Sequence, residues 1–359
     1  MLDNGGFDQV IGNYDGPQGH RPFIEALTGL LNRRFGWGLK PTNIVTTAGS
    51  QASFFMLFNM LAGPTPNGEM RHIILPLTPE YIGYADVGIS PGMVRSIRPA
   101  IEILDEHMFK YRIDFDALQL NREVAAVCVS RPTNPTGNVI TDEELEHLLA
   151  LTASHGTPLI IDNAYGLPFP NIVFSEATPK FEQHVILCMS LSKLGLPGLR
   201  TGVIVAAEDV IQTITSANAI TMLANGAMGA SLVSDMVDSD EIVDVCDRHI
   251  KPFYRTKAEQ AQAWCHEFFE GLDYYLHKTE GAIFLWVWFP GLPISDVELY
   301  ARLKQRDVLV LAGRNFFPGL DGEWEHTEQC LRLSYAQDAE SVRKGLEIIG
   351  EEVRRAFGR

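Results

Sequence analysis

The chain has 359 residues, 46% hydrophobic and 21% charged, an ordinary globular composition. A chain this long buries about three quarters of its unfolded surface and needs no disulfide or metal staple. A formal charge of −16 argues against a nucleic-acid surface or a polybasic membrane anchor. The five scattered cysteines, with no CxxC spacing, exclude a zinc ribbon or dithiol redox motif. No metal site is expected.

The elements read in chain order as follows. Residues 1–12, short, polar and Gly-rich, look like an arm or loop. Pro22–Arg34 has apolar residues at helical spacing with Pro at the first turn. Asn43–Thr47 reads as a strand. It leads through Ala48-Gly49-Ser50-Gln51 into a helical apolar stretch. His72–Leu75, Val124–Val129, Pro158–Asp162, Val185–Met189 and Gly202–Ala206 are continuous apolar runs of strand length. Continuous rather than alternating apolarity marks strands covered on both faces, as in a mainly parallel sheet. Asp142–Ser154 is an amphipathic helix. Thr141 and Glu144 stand at capping-box spacing at its start.

After about residue 240 the pattern changes to a long helix over Lys251–Phe269, strands at Ala282–Phe289, Val308–Ala312 and Cys330–Tyr335, and helices at Val297–Arg306 and Ala339–Ala356. The expectation is an α/β chain with an N-terminal arm (1–21), a large domain with a mostly parallel sheet flanked by helices (22–245) and a smaller α+β C-terminal domain (246–359). No apolar run is long enough to span a membrane, and no basic-then-apolar leader opens the chain. With an odd, scattered set of cysteines, the cytoplasm is the expected compartment.

Most of the chemically suggestive residues follow apparent strand ends, where α/β sheets bind ligands. Lys193 follows the 185–189 run, flanked by Ser190 and Ser192, with Arg200 beyond a Gly/Pro-rich loop. A lysine in a dry site can lose its proton and attack a carbonyl, and the hydroxyls and guanidinium suit a phosphate. The plainer alternative is a solvated lysine and a paired arginine. Ser50 and Gln51 open a helix after Gly49, either as an anion site or simply as a cap. Asp162 and Tyr165 end the 158–162 strand, placed to pair with a heteroaromatic ring or to cap a turn.

Asn134 sits in the rigid turn Ser130–Gly137, and Tyr81 follows Pro79-Glu80, placed to stack on a flat ring or to pack in the core. Arg332, inside an apolar strand, requires an anionic partner or a wet cavity. Tyr14 precedes the first helix and could reach a phosphate. Taken together they describe a flat pyridine ring bearing a phosphate, an aldehyde and a phenolic oxygen, which is pyridoxal 5′-phosphate.

With those residues in view, the sequence resembles the fold-type I pyridoxal-phosphate enzymes of the class I and II aminotransferase group over nearly its whole length. The stretches NYDGPQG, PEYIGYAD, SRPTNPTGNVITDEEL, IDNAYGLPFP, CMSLSKLGLPG, EGAIFLWVWF and NFFPGLD carry the likeness. The resemblance implies that Lys193 is the Schiff-base lysine and proton shuttle. Asp162 would pair with the pyridine nitrogen, and Tyr165 and Asn134 would bond the phenolic oxygen. Tyr81 would stack on the ring. Ser50, Gln51, Ser190, Ser192 and Arg200 would hold the phosphate.

Arg332, with Asn134, would bind the substrate carboxylate. Tyr14 would reach the phosphate of a neighbouring subunit, making the site a property of a homodimer. The implied reaction moves an amino group between a small apolar L-amino acid and a 2-oxo acid. A β-eliminating lyase would use the same cofactor residues. Relatives are expected to carry several dozen residues more ahead of NYDGPQG, supplying part of the small domain and a substrate-contacting glycine. Only 13 residues precede Tyr14 here, so an impaired homologue is a further alternative.

Overall fold

The computed structural model describes residues 6–358. The core is an eight-stranded sheet whose main path runs, by residue, 44–47, 202–205, 185–190, 159–162, 124–130, 70–75 and 63–64, with 94–96 also paired to 70–75. The strands 185–190, 159–162, 124–130, 70–75 and 94–96 pair in parallel. The strands 202–205 and 44–47 add to one side antiparallel, and 63–64 to the other. The four strands at the centre of this sheet that carry the site, including all seven residues of Val124–Ser130, are buried throughout. This is what their unbroken apolar runs predict.

Register brings polar residues together at one end of this sheet. Ser130 lies opposite Asp162, Asp162 opposite Cys188, and Ser190 opposite Gly202. Three polar groups therefore leave the sheet side by side at the carboxyl ends of adjacent parallel strands. The helix Asp142–Ser154 matches its expected span. The Thr141 hydroxyl accepts from Glu144 N, and the Glu144 carboxylate accepts from Thr141 N.

A second sheet of six strands runs 311–312, 330–334, 284–288, 275–277, 108–112 and 100–103. Two of its strands come from residues 100–112, so sheet membership does not follow the expected division at 245/246. The reason is pairing at long range: Met108–Arg112 runs parallel to Tyr275–His277 and antiparallel to Ala100–Ile103. No local periodicity signals such a partner. The apolar cluster between the layers joins Leu27, Val129 and Leu187 to Trp286 and Phe316.

Two expectations are corrected locally. The start is not all loop, because Gly6–Gly12 forms a short helix with no buried residue; residues 1–5 lie outside the described residues. The strand expected over 308–312 shrinks to Leu311–Ala312. Asp307 takes a left-handed conformation and Val308 N bonds back to Leu303 O, so both residues close the preceding helix.

Candidate active site

A cavity of about 170 Å³ opens above the strand ends. Asp162, Tyr165 and Asn134 line one part of it, and Ser190, Ser192 and Lys193 another. Ser50, Gln51, Tyr81 and Arg200 complete the set. Arg332 joins from the second sheet, where its Nη1 donates to Asn134 Oδ1 at 2.9 Å. Tyr14 is 83% exposed and is not among the residues lining this cavity.

One end of the cavity is built for an anion. The helix Ser50–Leu61 begins at Gly49, which has φ +95°. A side chain there would be strained and would also collide with Arg200, whose Nη2 would lie 2.2 Å from the added carbon. Gly49 thus lets the guanidinium sit against the amino end of the helix, where backbone N–H groups favour negative charge. Ser190, buried at the end of its strand, accepts from Ser192 N at 3.1 Å and keeps its own hydroxyl hydrogen for another acceptor. Arg200 donates only a long bond, 3.3 Å, to Pro197 O.

At the centre, Asp162 Oδ1 accepts from Ala164 N at 3.0 Å, and Oδ2 accepts from the Tyr84 hydroxyl at 2.9 Å. Burial pushes its carboxyl up to about 6, against the pull of these two bonds and the nearby Lys193 charge. Lys193 stands in the tight turn Ser192–Leu194, which ends on Gly195 in the left-handed region. Its Nζ lies 5.5 Å from the centre of the Tyr165 ring. Burial and the cations Arg332 and Arg200 lower its affinity for a proton, and Asp162 opposes them.

The far wall is aromatic. The Arg332 guanidinium lies 4.1 Å from the centre of the Phe284 ring and 5.2 Å from that of Phe316. Its Nε is buried and, among the described residues, has no hydrogen-bond partner. Among the described residues no carboxylate lies within ion-pair distance of Lys193, Arg200 or Arg332. Three cationic side chains therefore converge on a space that holds one carboxylate.

Ten of the twelve candidate residues line one cavity, and Arg332 is tied to it through its hydrogen bond to Asn134. The sequence reading missed Glu80, Tyr84 and Ser130 as contributors beneath it. Ser130 closes a buried strand next to Asp162, the one sequence signal that pointed to it. Tyr84 and Glu80 offered none, because their part depends on hydrogen bonds between segments far apart in the chain.

A half-buried lysine, a buried aspartate and an anion cup meet at the strand ends of a mainly parallel sheet, and comparison with known proteins gives the class of this chain. The family model for aminotransferase class I and II matches residues 7–349, and the chain belongs to that family. Valine–pyruvate aminotransferase of Escherichia coli K12 is 48% identical over 357 residues, spanning 99% of this chain and 86% of that protein. The crystal structure of valine–pyruvate aminotransferase from Salmonella typhimurium LT2 superposes with a TM-score of 0.94 at 46% identity, covering 100% of this chain and 90% of that one. An α-aminoadipate aminotransferase from Thermus thermophilus, crystallised with a phosphopyridoxyl-leucine adduct, has the same fold. Its TM-score is 0.79 at 21% identity, over 99% of this chain and 86% of that one.

Proposed function

We propose that this chain binds pyridoxal 5′-phosphate and transfers the amino group of L-valine to pyruvate, giving 3-methyl-2-oxobutanoate and L-alanine. The observation that carries the reading is the set of three cations without carboxylate partners around a cavity floored by Asp162. That charge pattern fits a phosphorylated cofactor plus a substrate carboxylate. Gly49 supports the phosphate end, since a side chain there would be strained and would push against the Arg200 guanidinium. The unpartnered Nε of Arg332 supports the carboxylate end.

Ser50, Gln51, Ser190, Ser192 and Arg200 hold the phosphate. Asp162 would pair with the pyridine nitrogen, Tyr165 and Asn134 would bond the phenolic oxygen, and Tyr81 would stack on the ring. Once bound, the cofactor supplies a carbonyl for the amine and an electron sink for the carbanion at the substrate Cα. Lys193 Nζ would anchor the cofactor and, once the substrate amine displaces it, would take the proton from the substrate Cα and deliver it to the former aldehyde carbon rather than back to Cα. Its weakened hold on a proton suits both tasks. Arg332 orients the substrate through its carboxylate while Asn134 holds the guanidinium.

The cavity lining offers no further cation for a side-chain carboxylate, and Phe284 and Phe316 present apolar faces beside Arg332. Both features favour a small apolar amino acid. An apolar pocket separates substrates one methylene apart by only about 1–3 kcal/mol, so L-2-aminobutyrate reacts as well. In a homodimer, the exposed Tyr14 is free to enter the neighbouring site. The five cysteines are buried free thiols, which suits cytoplasmic conditions.

The test is the visible spectrum of the protein with bound cofactor. L-valine should bleach the band, and pyruvate should restore it, with the parallel initial-rate lines of a two-step exchange. A band indifferent to L-valine would overturn the substrate assignment. Release of 2-oxo acid from cysteine-type substrates without an acceptor would point to elimination instead.

A further inference from the structure

Below the Asp162 carboxylate runs a chain of hydrogen bonds that the proposed reaction does not require. Glu80 is fully buried. One of its carboxyl oxygens accepts from Ser130 N at 2.8 Å, and the other accepts from the Ser130 hydroxyl when the carboxyl is ionised and can donate to it when the carboxyl is protonated. Ser130 Oγ lies 3.3 Å from the Tyr84 hydroxyl, which in turn donates to Asp162 Oδ2. The four groups stand in line: Glu80, Ser130, Tyr84, Asp162.

The line has a direction. Tyr84 has one hydrogen and commits it to Asp162, so its oxygen is free to accept from Ser130. If Ser130 donates to Tyr84, its own oxygen is open to a donor from Glu80. Only a protonated Glu80 has that hydrogen. With Glu80 ionised, Ser130 must turn its hydrogen back to Glu80, and Tyr84 loses the donor that strengthens its own bond to Asp162.

We propose that Glu80 is a positioning residue for Asp162: it donates to Ser130 and so fixes the direction of the hydrogen-bond line that ends on the Asp162 carboxylate. The surroundings favour the donating form. Among the described residues no Lys, Arg or His lies within ion-pair distance of Glu80. The titratable groups packed around it are Asp162, Cys128 on the adjoining strand, and Tyr84. None of these is a cation, and the segment Gly313–Phe316 presents a backbone carbonyl to Glu80 N. Burial accordingly raises the Glu80 carboxyl to about 8. Asp162 is thus kept ready to hold a positive charge above it by a neutral acid two residues removed along the line.

The consequence for the cofactor rests on the function proposed above, whereas the protonation of Glu80 does not, and the two are read separately. The first measurement compares the melting temperatures of wild type and E80Q from pH 5 to pH 9, with pyridoxal phosphate and without it. A carboxyl raised in the folded state gives stability that is present at acid pH and lost as pH rises through its folded value. E80Q cannot ionise. The two proteins should therefore melt together at pH 5, and E80Q should melt roughly 3 °C or more above wild type at pH 9. Parallel curves would show that Glu80 is ionised throughout and would overturn the proposal.

The second measurement is the dissociation constant for pyridoxal phosphate by absorbance titration. Gln keeps both an acceptor and a donor, so E80Q should bind within about twofold of wild type. E80M, which has neither, should bind roughly fivefold or more weakly. Introduced on top of Y84F, which breaks the line, E80M should weaken binding by less than about twofold further. Equal damage from E80Q and E80M would overturn the donor role. A full E80M effect retained with Y84F would mean that Glu80 acts by packing alone. If wild type fails to bind the cofactor, the proposed function falls while the melting comparison still decides the state of Glu80.

Discussion

Two lysines in this molecule are withdrawn from water, and their surroundings differ. Lys110, on a strand of the second sheet, is 2% exposed. It donates to Val139 O at 2.9 Å and pairs with Glu280, whose carboxylate also accepts from Val139 N and pairs with Lys278. Lys193, at the end of the central sheet, is half-buried beside Arg200 and Arg332 and has no carboxylate within ion-pair distance. Burial lowers the proton affinity of both. At Lys110 the ion-paired Glu280 opposes that shift, whereas at Lys193 Arg332 and Arg200 reinforce it and Asp162 opposes it without an ion pair. A matched buried charge fastens structure; an unmatched one is left available for a ligand.

Substitutions break this contrast in opposite directions. The largest effect is expected at Lys193. K193A should lower turnover by roughly 10⁴-fold or more while leaving the melting temperature unchanged or higher, because a partly buried, cation-crowded ammonium is removed. Turnover retained in that variant would end the mechanism. K110A should do the reverse. It leaves the buried Glu280 carboxylate with the half-exposed Lys278 and Val139 N as partners, and costs up to about 3–5 kcal/mol of unfolding free energy. Urea denaturation would show this, and the double variant K110A/E280A should recover part of the loss.

Arg332 sharpens the distinction between holding the cofactor and holding the substrate. R332A should raise KM for L-valine roughly 10²-fold, with cofactor affinity nearly unchanged. A parallel loss of cofactor binding would mean that Arg332 belongs to the phosphate end. The smallest effect concerns acid. His277, buried near the Lys110 pair, is lowered to about 3, chiefly by burial. A base depressed in the folded state gives stability that is present above its unfolded value, near 6.5, and is lost as pH falls toward the folded one. Between pH 7 and pH 4.5 this amounts to about 2–3 kcal/mol, and H277Q should remove that share of the acid sensitivity seen by urea denaturation.

The central sheet was legible because its signals are local. Four of the five unbroken apolar runs lead into a distinctive polar group, and these mark Tyr81, Asn134, Asp162 and Lys193. Thr141 and Glu144 even set a helix start. What was not legible depends on distant partners. The strands at 100–112 have neither an unbroken run nor a marked alternation, and their membership in the second sheet follows from pairing with residues 275–277. Glu80 looked like an ordinary acid between Pro79 and Tyr81 until Ser130 was seen to close over it. Arg332 was foreseen as needing an anion or water. Within the described residues it meets Asn134 and two aromatic rings and keeps its Nε open, which leaves room for the anion that the proposed substrate would bring.

The crossing of strands 100–112 into the second sheet has a consequence for taking the protein apart. A fragment starting at residue 246 would lack two of the six strands and bare the backbone of Tyr275–His277, an unprotected edge of the kind that invites aggregation. A fragment ending at 245 would leave Met108–Arg112 without its parallel neighbour. Neither half is expected to fold on its own. During synthesis, completion of the second sheet must await emergence of the last third of the chain, which places its assembly late in folding.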